Sequence, residues 1–367
     1  MQSERSPVVV GLSGGVDSAV AAALLREAGR DVIGVVLRMQ DPGDDGRPAC
    51  PAAGALDDAR RVAEVLGIPL HVVDATEVFE RAVVEPFCAA YARGRTPNPC
   101  VPCNEQVKFA LLRRTARELG ASAVATGHYA RRGRDAATGR FTLRRGVGAG
   151  DQAYFLFRLT QDHLRDAVFP LGEHDKERVR RRAREYGLPV HDRPDSQDLC
   201  FVPAGRYREF LRARSPEAFR PGPIVHTDGR VLGRHDGIGG YTVGQRRGLG
   251  IAHSEPLYVV AVRPDQNSVV VGERQHVMGA ELAVEAVHWV SIPPPADVVR
   301  ATVKIRYNHP GAPASVTPQP GGTAHVRFEA PQEAPAPGQA AVFYAGDLLL
   351  GGGTIAGNNG TQPGGKR

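Results

Sequence analysis

No apolar stretch in the sequence is long enough to cross a membrane. A membrane-spanning helix needs about 20 consecutive apolar residues, and every apolar run in this chain is far shorter. The first seven residues are mostly polar and lead directly into an apolar run at 8–10, without the pattern of a secretory signal. We therefore expect a cytoplasmic protein that has no membrane partner.

The chain also has little cysteine. Its five cysteines are an odd number, which argues against a framework of structural disulfides. We expect Cys50 and Cys88 to be buried structural residues. Cys100, Cys103 and Cys200 are candidates for reactive thiols or metal ligands. No second Cys/His pair has the spacing that a four-ligand zinc site would require.

Lysine is scarce, and arginine supplies most of the positive charge. Only four of the 46 basic residues are lysines, at positions 108, 176, 304 and 366, and the net charge is +6. A chain with this charge suits a polyanionic partner. The composition therefore makes nucleic acid a plausible ligand without identifying one.

The order of apolar and helical patterns divides the chain near Cys200. Before it, short apolar runs alternate with helical stretches, which predicts an α/β domain with a doubly wound parallel sheet. After it, short strands separated by Gly, Pro and Asp turns predict two smaller β-rich domains, the last of them a β-barrel. We place the domains at 1–205, 206–276 and 277–358, followed by a disordered tail at 359–367.

The clearest local pattern is S-G-G-V-D-S at residues 13–18. It lies between an apolar run that predicts a buried strand and an alanine-rich stretch that predicts a helix. Two adjacent glycines expose backbone N–H groups, and a helix N-terminus adds partial positive charge, so the loop predicts a phosphate pocket. Ser13 and Ser18 can donate hydroxyls to phosphate oxygens, and Asp17 can hold a magnesium ion or cap the loop.

This loop lacks the Gly-Lys-Ser/Thr ending of the P-loop and the spacing of the dinucleotide fingerprint. It resembles instead the PP-loop of the ATP pyrophosphatases, which cleave ATP between the α- and β-phosphates and adenylate a substrate. Ligands of a parallel sheet lie beyond the carboxyl ends of its strands. Ser13, Leu37 and the pair Gly127 and His128 lie at such ends, so we expect them to converge on one nucleotide.

Cys100 and Cys103 lie just before a helix predicted at about 105–119, with Asn104 as its cap. A thiol at a helix N-terminus has a depressed pKa, so we expect reactive thiols here. The sequence alone does not place Cys200 near them. An iron–sulfur cluster held by Cys100, Cys103 and Cys200, with one iron left open, stays an alternative to a cysteine nucleophile.

Several longer motifs follow the phosphate loop in a fixed order. They are T-P-N-P-C-x-x-C-N, A-T-G-H-Y-A, D-Q-x-Y-F-L, D-S-Q-D-x-C-F, Y-T-V-G-Q-R-R-G-L-G, K-I-R-Y, P-G-Q-A-A-V-F-Y-x-G-D and L-G-G-G-T-I. The set extends from residue 8 to residue 355 and resembles the bacterial tRNA-specific 2-thiouridylases. The resemblance implies an adenine nucleotide α-hydrolase-like PP-loop domain that thiolates C2 of the wobble uridine in tRNAs for Lys, Glu and Gln.

The resemblance also implies the chemistry. With ATP and Mg²⁺, the uridine O2 would be adenylated and pyrophosphate released, and AMP would leave as sulfur enters. Sulfur would arrive from a cysteine desulfurase or a sulfur-carrier protein and would rest on Cys200 as a persulfide. Cys103 would be the nucleophile that frees the sulfur or forms a transient disulfide with Cys200.

The positions that match the family pattern form a candidate site. For ATP they are Gly11, Leu12, Ser13, Gly14, Gly15, Val16, Asp17, Ser18, Leu37 and Gly127. For the target base and the tRNA they are Asn98, Pro99, Cys100, His128, Gly150, Asp151, Gln152, Arg306, Tyr307 and Gln339. Some family members have Asp where this chain has Cys100, so a general-acid role is not carried over to that position. Arg306 suits a phosphate, and Tyr307 suits base stacking.

Two other interpretations stay open. One is a different PP-loop enzyme, such as a 4-thiouridine synthase, a lysidine synthase or an amide-forming ligase; the ligases need no cysteine pair. The other is a tRNA-binding protein whose catalytic half has decayed, which the intact Asp17, Cys103 and Cys200 argue against. On addition of tRNA, a tRNA-binding protein would release no pyrophosphate from ATP, and an amide-forming ligase would not respond specifically to the tRNA.

Overall fold

The computed structural model describes residues 6–40, 54–148, 151–194, 199–203 and 205–357. The strands of the N-terminal part are β1 (Val8–Gly11), β2 (Val32–Arg38), β3 (Leu70–Asp74), β4 (Ala123–Ala125), β5 (Ala130–Arg134), β6 (Phe141–Arg145) and β7 (Ala167–Val168). Five of them form a parallel sheet in the order β3-β2-β1-β4-β7. The strand order reverses beside β1, which confirms the predicted doubly wound α/β fold.

Helices cover both faces of this sheet. The α-helices of the described residues are α1 (Val16–Glu27), α2 (Ala55–Leu66), α3 (Thr76–Phe79), α4 (Glu85–Ala92), α5 (Cys100–Pro102), α6 (Ala110–Glu118), α7 (Gln161–Asp166), α8 (Lys176–Glu185) and α9 (Tyr207–Arg214). π-Helical turns at Glu80–Val84 and Cys103–Phe109 join α3 to α4 and α5 to α6. Val8 and Val10 pack with α1 and α2, whereas Val9 packs with α6 on the opposite face. Within the described residues, every helix is too short or too polar to span a membrane.

The helix predicted at about 105–119 begins five residues earlier than expected. It begins at Cys100 with Pro99 rather than Asn104 as its N-cap residue, and the backbone N–H of Cys100 donates to Asn98 Oδ1 at 3.2 Å. Asn104 is buried inside the helix, where its Nδ2 donates to the carbonyl of Phe155 at 3.2 Å. The prolines of this stretch suggested a loop, although the first turn of a helix tolerates proline.

A second sheet follows α9. Its strands are β8 (Gly222–His226), β9 (Val231–His235), β10 (Tyr258–Arg263) and β11 (Ser268–Gly272), in the order β10-β11-β8-β9. β8 and β11 run parallel, with His226 beside Val271, and the outer pairs are antiparallel. Ile224, Val259 and Val269 lie in the core of this domain.

The C-terminal strands close into a barrel. They are β12 (Met278–Trp289), β13 (Val299–Lys304), β14 (Ala312–Gln319), β15 (Thr323–Glu333), β16 (Ala340–Ala345) and β17 (Leu348–Ile355). They pair in the order β12-β15-β14-β13-β16-β17, and β17 also pairs with β12, which confirms the predicted β-barrel. A Cβ on Gly352 of β17 would lie 2.7 Å from the carbonyl oxygen of Ala341, so this close crossing requires glycine.

The barrel and the α/β part share one sheet. The hairpin of β5 and β6 comes from the N-terminal part of the chain, but β6 pairs with β17 through Leu143 and Leu349. The hydroxyl of Tyr154 also donates to the carbonyl of Ala340 at 2.9 Å. Because these residues lie in one buried cluster, the barrel is attached directly to the segment that follows β4.

Candidate active site

The loop between Gly11, which ends β1, and Val16, which begins α1, folds around a hydroxyl. The backbone N–H of Ser13 donates to Ser18 Oγ at 3.1 Å, and this hydroxyl donates to the carbonyl of Gly15 at 3.1 Å. Gly15 is the N-cap residue of α1, and no side chain caps the helix. The N–H groups of the first turn are therefore open to an anion, as in phosphate-binding loops.

Three glycines of the site have different surroundings. Gly14 has a φ of +72° and lies against the start of α2. A Cβ on Gly127 would lie 2.7 Å from the backbone nitrogen of Ser18, whereas a Cβ on Gly15 would meet only the Ser13 hydroxyl, at 3.5 Å. Gly127 thus supports the phosphate loop from behind, and Gly15 borders open space where a phosphate can approach the backbone.

The nucleotide positions expected at three strand ends come together. β2, β1 and β4 are neighbours in the sheet, and Leu37, Ser13 and Gly127 lie at their carboxyl ends. Leu12 and Val16 are buried beneath the loop, and Leu37 is half-buried. The sheet therefore places the candidate ATP residues along one edge.

Asp17 is held by two residues that no sequence pattern indicated. Lys176 Nζ lies 2.8 and 2.9 Å from its two carboxylate oxygens, and the hydroxyl of Tyr129 donates to Oδ1 at 2.7 Å. The carboxylate is therefore paired with an ammonium group rather than free for a metal, and Ser18 rather than Asp17 closes the loop. Because Lys176 and Tyr129 are distant in the chain, only the scarcity of lysine could have drawn attention to Lys176.

The fold brings the segment of Cys200 beside the earlier cysteines. Phe201, the next residue, lies in the same buried cluster as Cys103 and Val107. Cys103 is only 5% exposed, whereas Cys100 and Cys200 are exposed. Cys88, Cys100 and Cys103 form no disulfide with one another or with another described residue. A buried thiol and an exposed thiol therefore lie on neighbouring segments.

The thiols are not activated in the way the sequence suggested. Burial raises the pKa of Cys103 and of Cys100, although Cys100 keeps an exposed edge, and the ammonium of Lys108 opposes this only in part. The expected depression of the pKa is wrong because the loss of water outweighs the helix N-terminus and the lysine. Burial also raises the pKa of Cys88, which lies in the core as expected. Cys50 lies outside the described residues.

Lys108 is a positive charge shared by the three candidate cysteines. Burial lowers the pKa of its ammonium, but Cys103, Cys100 and Cys200 act in the opposite direction, and the net pKa is raised. An ammonium beside three thiols favours their anionic forms. Sequence reasoning missed Lys108, whose only signal was that lysine is rare in this chain.

His128 links this cluster to the phosphate loop, because it directly follows Gly127. Its Nδ1 lies 2.8 Å from Thr126 Oγ1, and its ring stacks on Phe109 with the centroids 6.4 Å apart. Burial lowers the pKa of His128 to about 3, and the charge of Lys108 acts in the same direction. His128 is therefore neutral at pH 7.

The segment 96–99 is held against the barrel. Gln339 Nε2 donates to the carbonyl of Thr96 at 2.9 Å, and the N–H of Thr96 donates to the carbonyl of Pro337 at 2.7 Å. Gln339, expected to touch tRNA, thus anchors the segment that carries Asn98. A cleft of about 360 Å³ opens beside this segment. Its basic lining residues are Arg81, Arg93, Arg95 and Arg158.

Two further candidate tRNA residues have protein partners in this structure. The hydroxyl of Tyr344 donates to Asp151 at 3.0 Å, and Lys304 Nζ lies 3.7 Å from the same carboxylate oxygen. Gln152 Oε1 accepts from the backbone N–H of Tyr129 at 3.0 Å. Asp151 thus connects the α/β part with the barrel, and Gln152 connects two segments of the α/β part.

The remaining candidates lie on or near the barrel. Tyr307 is half-buried and packs on Phe155 with the ring centroids 4.6 Å apart. Arg306 is exposed, and its Nη1 donates to the carbonyl of Glu333 at 3.0 Å. Gly150 lies outside the described residues.

Three family models match successive parts of the chain. The tRNA methyl transferase HUP domain matches residues 6–204, the tRNA methyl transferase PRC-barrel domain matches 208–273, and the aminomethyltransferase β-barrel domain matches 280–355. The first of these alone covers more than half of the chain.

Solved structures resemble the chain only weakly. An NMN synthetase from Francisella tularensis is 17% identical, with a TM-score of 0.34, over 58% of this chain and 78% of the other. A 4-thiouridine synthetase–RNA complex with bound ATP is 20% identical, with a TM-score of 0.34, over 58% of this chain and 51% of the other. Likeness at this level carries no argument about function.

Curated relatives match nearly the whole chain. A tRNA-specific 2-thiouridylase MnmA from Moorella thermoacetica is 47% identical, and the match covers 95% of this chain and 98% of the relative. A protein of the same name from Chloroflexus aurantiacus is 49% identical with the same coverage of both chains. This protein belongs to the tRNA-specific 2-thiouridylase MnmA family.

Proposed function

We propose that this protein is a tRNA-uridine 2-sulfurtransferase. It would use ATP and a cysteine persulfide to convert the wobble uridine of tRNA-Lys, tRNA-Glu and tRNA-Gln to 2-thiouridine. The observation that carries the proposal is the proximity of the phosphate loop to the cysteine cluster. The loop packs against Gly127, His128 follows it, and the ring of His128 stacks on Phe109 of the helical segment Cys103–Phe109. The charge of Lys108 in this segment also affects the pKa values of His128 and Cys103. The names of the curated relatives agree with this activity.

In the first half-reaction the uridine O2 attacks the α-phosphorus of ATP, and pyrophosphate leaves. The uncapped N–H groups of α1 suit the phosphates, and the open space above Gly15 lets the backbone approach them. The adenosine would lie along the strand ends at Leu37 and Gly127. Mg²⁺ is expected with the triphosphate. Because Asp17 is paired with Lys176, we assign no magnesium ligand to the loop.

In the second half-reaction sulfur displaces AMP from C2 of the base. Cys200 is exposed, so a cysteine desulfurase or a sulfur-carrier protein could load it with a persulfide. The thiolate of Cys103 would then attack Cys200 Sγ, form the disulfide and release the outer sulfur, either as hydrosulfide or already bonded to C2. A reductant must reopen the disulfide. Lys108 would stabilise the anionic sulfur, since its ammonium interacts with both thiols.

The RNA would enter from the side of the arginine-lined cleft. The target base must leave the anticodon stack to reach a partly buried site. Asn98 lines the cleft, and Cys100 follows it by two residues, so a base can meet this segment while arginines hold phosphates. Arg81, Arg95 and Arg158 would exchange their glutamate partners for phosphates. Arg306 and Tyr307 on the barrel would extend the surface. The other candidate tRNA residues, His128, Gly150, Asp151, Gln152 and Gln339, stay predictions, as does a cytoplasmic location.

An iron–sulfur cluster on Cys100, Cys103 and Cys200 is the competing account of the same thiols. Lys108 would suit an anionic cluster as well as a persulfide. We prefer the persulfide route because the thiols differ in exposure. An exposed Cys200 suits delivery of sulfur by a partner protein, and a buried Cys103 suits the later attack.

The test is nucleoside mass spectrometry of unmodified tRNA-Glu incubated with protein, ATP, Mg²⁺, cysteine and a cysteine desulfurase. We expect 2-thiouridine from the wild type and from Cys100→Ala without iron, and none from Cys103→Ala or Cys200→Ala. Cys88→Ala is the matched control for a buried thiol outside the site. If thiolation requires anaerobic iron reconstitution and all three cysteines, a mechanism with an iron–sulfur cluster would replace the persulfide mechanism. The absence of thiolation under both conditions would overturn the proposal.

A further inference from the structure

The central domain carries a cluster of metal-ligating groups that the proposed reaction does not use. One ligand atom from each of His226, His253 and Glu273 lies within 4.8 Å of the others. Among the described residues, this is the one group of three or more such side chains that meets this distance. We infer that these residues form a zinc site that ties the irregular segment 241–257 to the central sheet.

The fold places two of the ligands side by side. His226 ends β8, Glu273 directly follows β11, and these two strands are parallel neighbours. His226 Nε2 lies 3.1 Å from Glu273 Oε1. A tetrahedral zinc ion with bonds of about 2.0–2.1 Å needs ligand atoms roughly 3.3–3.4 Å apart. One edge of the tetrahedron is therefore already set by the sheet.

Both of these ligands are oriented by other side chains. His226 Nδ1 lies 3.0 Å from Asp228 Oδ1, and Glu273 Oε2 lies 3.0 Å from His276 Nδ1. With a metal on Nε2, the proton of His226 lies on Nδ1, and this N–H donates a hydrogen bond to Asp228 Oδ1. This carboxylate–histidine–metal arrangement is usual around zinc and strengthens the imidazole as a ligand.

His253 supplies the third ligand from the segment itself. Its Nδ1 faces the backbone of Glu255, 3.3 Å from the carbonyl oxygen and 3.4 Å from the nitrogen, so Nε2 is the ring atom left for a metal. The rings of His253 and His226 stack with their centroids 5.7 Å apart. Because His253 is exposed, its ring can rotate to close the remaining gap, and water can complete the coordination. Two neutral imidazoles and one carboxylate suit a zinc dication.

The metal would order a segment that carries exposed positive charge. Residues 241–257 contain no helix or strand, and the segment reaches the core of the central domain at Tyr241, Leu249 and Leu257. Arg246 and Arg247 are exposed in this segment. A bond from zinc to His253 would anchor the segment at one more point, between the two arginines and its C-terminal end. This bond would restrict the conformations that the segment can adopt. The site does not depend on the proposed thiolation reaction.

The test uses the untagged full-length protein with Cys100→Ser, Cys103→Ser and Cys200→Ser, so that these thiols do not compete for zinc. After dialysis against EDTA, zinc chloride is added in a calorimetric titration. Elemental analysis of the desalted protein gives the amount bound. We expect one zinc ion per chain. We also expect His253→Gln and Glu273→Gln to weaken its binding at least tenfold.

Two further variants separate a built site from chance binding. Asp228→Asn should weaken zinc binding by roughly 10–100-fold, because it removes the group that orients His226. His325→Gln is the matched control, since this histidine pairs with Glu281 at 3.3 Å on the barrel without a third ligand nearby among the residues that the structure describes. It should bind zinc as the parent protein does.

Limited digestion with trypsin gives a readout that does not depend on binding heats. We expect zinc to slow cleavage after Arg247 in the parent protein and in His325→Gln, but not in His253→Gln. Less than one zinc ion per chain, equal affinity in His253→Gln, or zinc bound without any protection at Arg247 would each overturn the inference.

Discussion

A single added methyl group tests whether the end of β4 supports the nucleotide site. Gly127→Ala changes no charge and no hydrogen-bonding side chain. Its Cβ would lie 2.7 Å from the backbone nitrogen of Ser18 and 2.8 Å from the backbone carbon of Asp17. Ordinary contact begins at about 3.4 Å. The phosphate loop or the end of β4 must therefore move by several tenths of an ångström.

The size of the effect follows from this displacement. Overpacking of this kind costs about 1–3 kcal/mol of unfolding free energy, which a domain with about 5–15 kcal/mol can lose and still fold. The moved backbone N–H groups no longer point at the phosphates. Loss of one hydrogen bond to a charged group costs about 1.5–3 kcal/mol. We therefore expect the dissociation constant for ATP to rise roughly 10- to 150-fold.

Calorimetric titration with a non-hydrolysable ATP analogue measures the affinity, and urea unfolding measures the stability. Gly233→Ala in β9 is the matched control, because its Cβ would meet only Ile251, at 3.7 Å. It should bind the analogue as the wild type does. If Gly127→Ala loses stability but keeps wild-type affinity, the loop of residues 13–18 is not the phosphate site.

Three further predictions concern the same site. Gly15→Ala has room for its methyl group, so we expect a change in unfolding free energy of at most about 1 kcal/mol. The methyl group would occupy the space through which a phosphate approaches the backbone, so calorimetry should show weaker binding of the ATP analogue. Unchanged binding would contradict the approach of a phosphate to the backbone at Gly15. Lys108→Met removes the charge that partly offsets the effect of burial on the pKa of Cys103. Alkylation of this thiol by iodoacetamide at pH 7 should therefore slow in Lys108→Met, whereas Lys108→Arg should retain the rate. Equal rates in Lys108→Met and in the wild type would refute the electrostatic coupling between Lys108 and Cys103. His128 has a pKa of about 3 in the folded protein against 6.5 when unperturbed, so the unfolded chain binds a proton that the folded chain does not, and stability falls as the pH drops below 6.5. Between pH 7 and pH 5 this costs about 2 kcal/mol. Other histidines with lowered pKa values, such as His163 and His288, add to the loss of stability in both proteins. Urea unfolding should therefore show a loss about 2 kcal/mol smaller in His128→Gln than in the wild type; an equal loss in both would contradict the burial of a neutral imidazole.

Patterns between near neighbours in the chain predicted much of the fold. Apolar runs and helical periodicity marked β1, α1 and β2, because burial of a strand and of one helix face leaves a regular spacing of apolar residues. The glycines at Gly14 and Gly15 marked the phosphate loop for a local steric reason. Turn residues and short strands predicted the barrel. The domain limits at 205, 276 and 358 stay predictions.

Local sequence patterns predict less where burial competes with a local preference. Cys103 follows the start of a helix, which by itself lowers the pKa of a thiol. Its burial among apolar side chains acts in the opposite direction and is the stronger effect. Burial depends on residues from other segments, such as Phe201, and no local pattern reports it.

The sequence thus contained the main parts of the candidate site: a loop for phosphate, three candidate thiols and a net positive charge. The pairing of these parts required the fold. Asp17 meets Lys176, Cys103 lies beside the segment of Cys200, and the hairpin after β4 joins the barrel at β17. Each pair is far apart in sequence, and its partners meet because apolar side chains elsewhere on the same elements pack together and carry the polar groups with them.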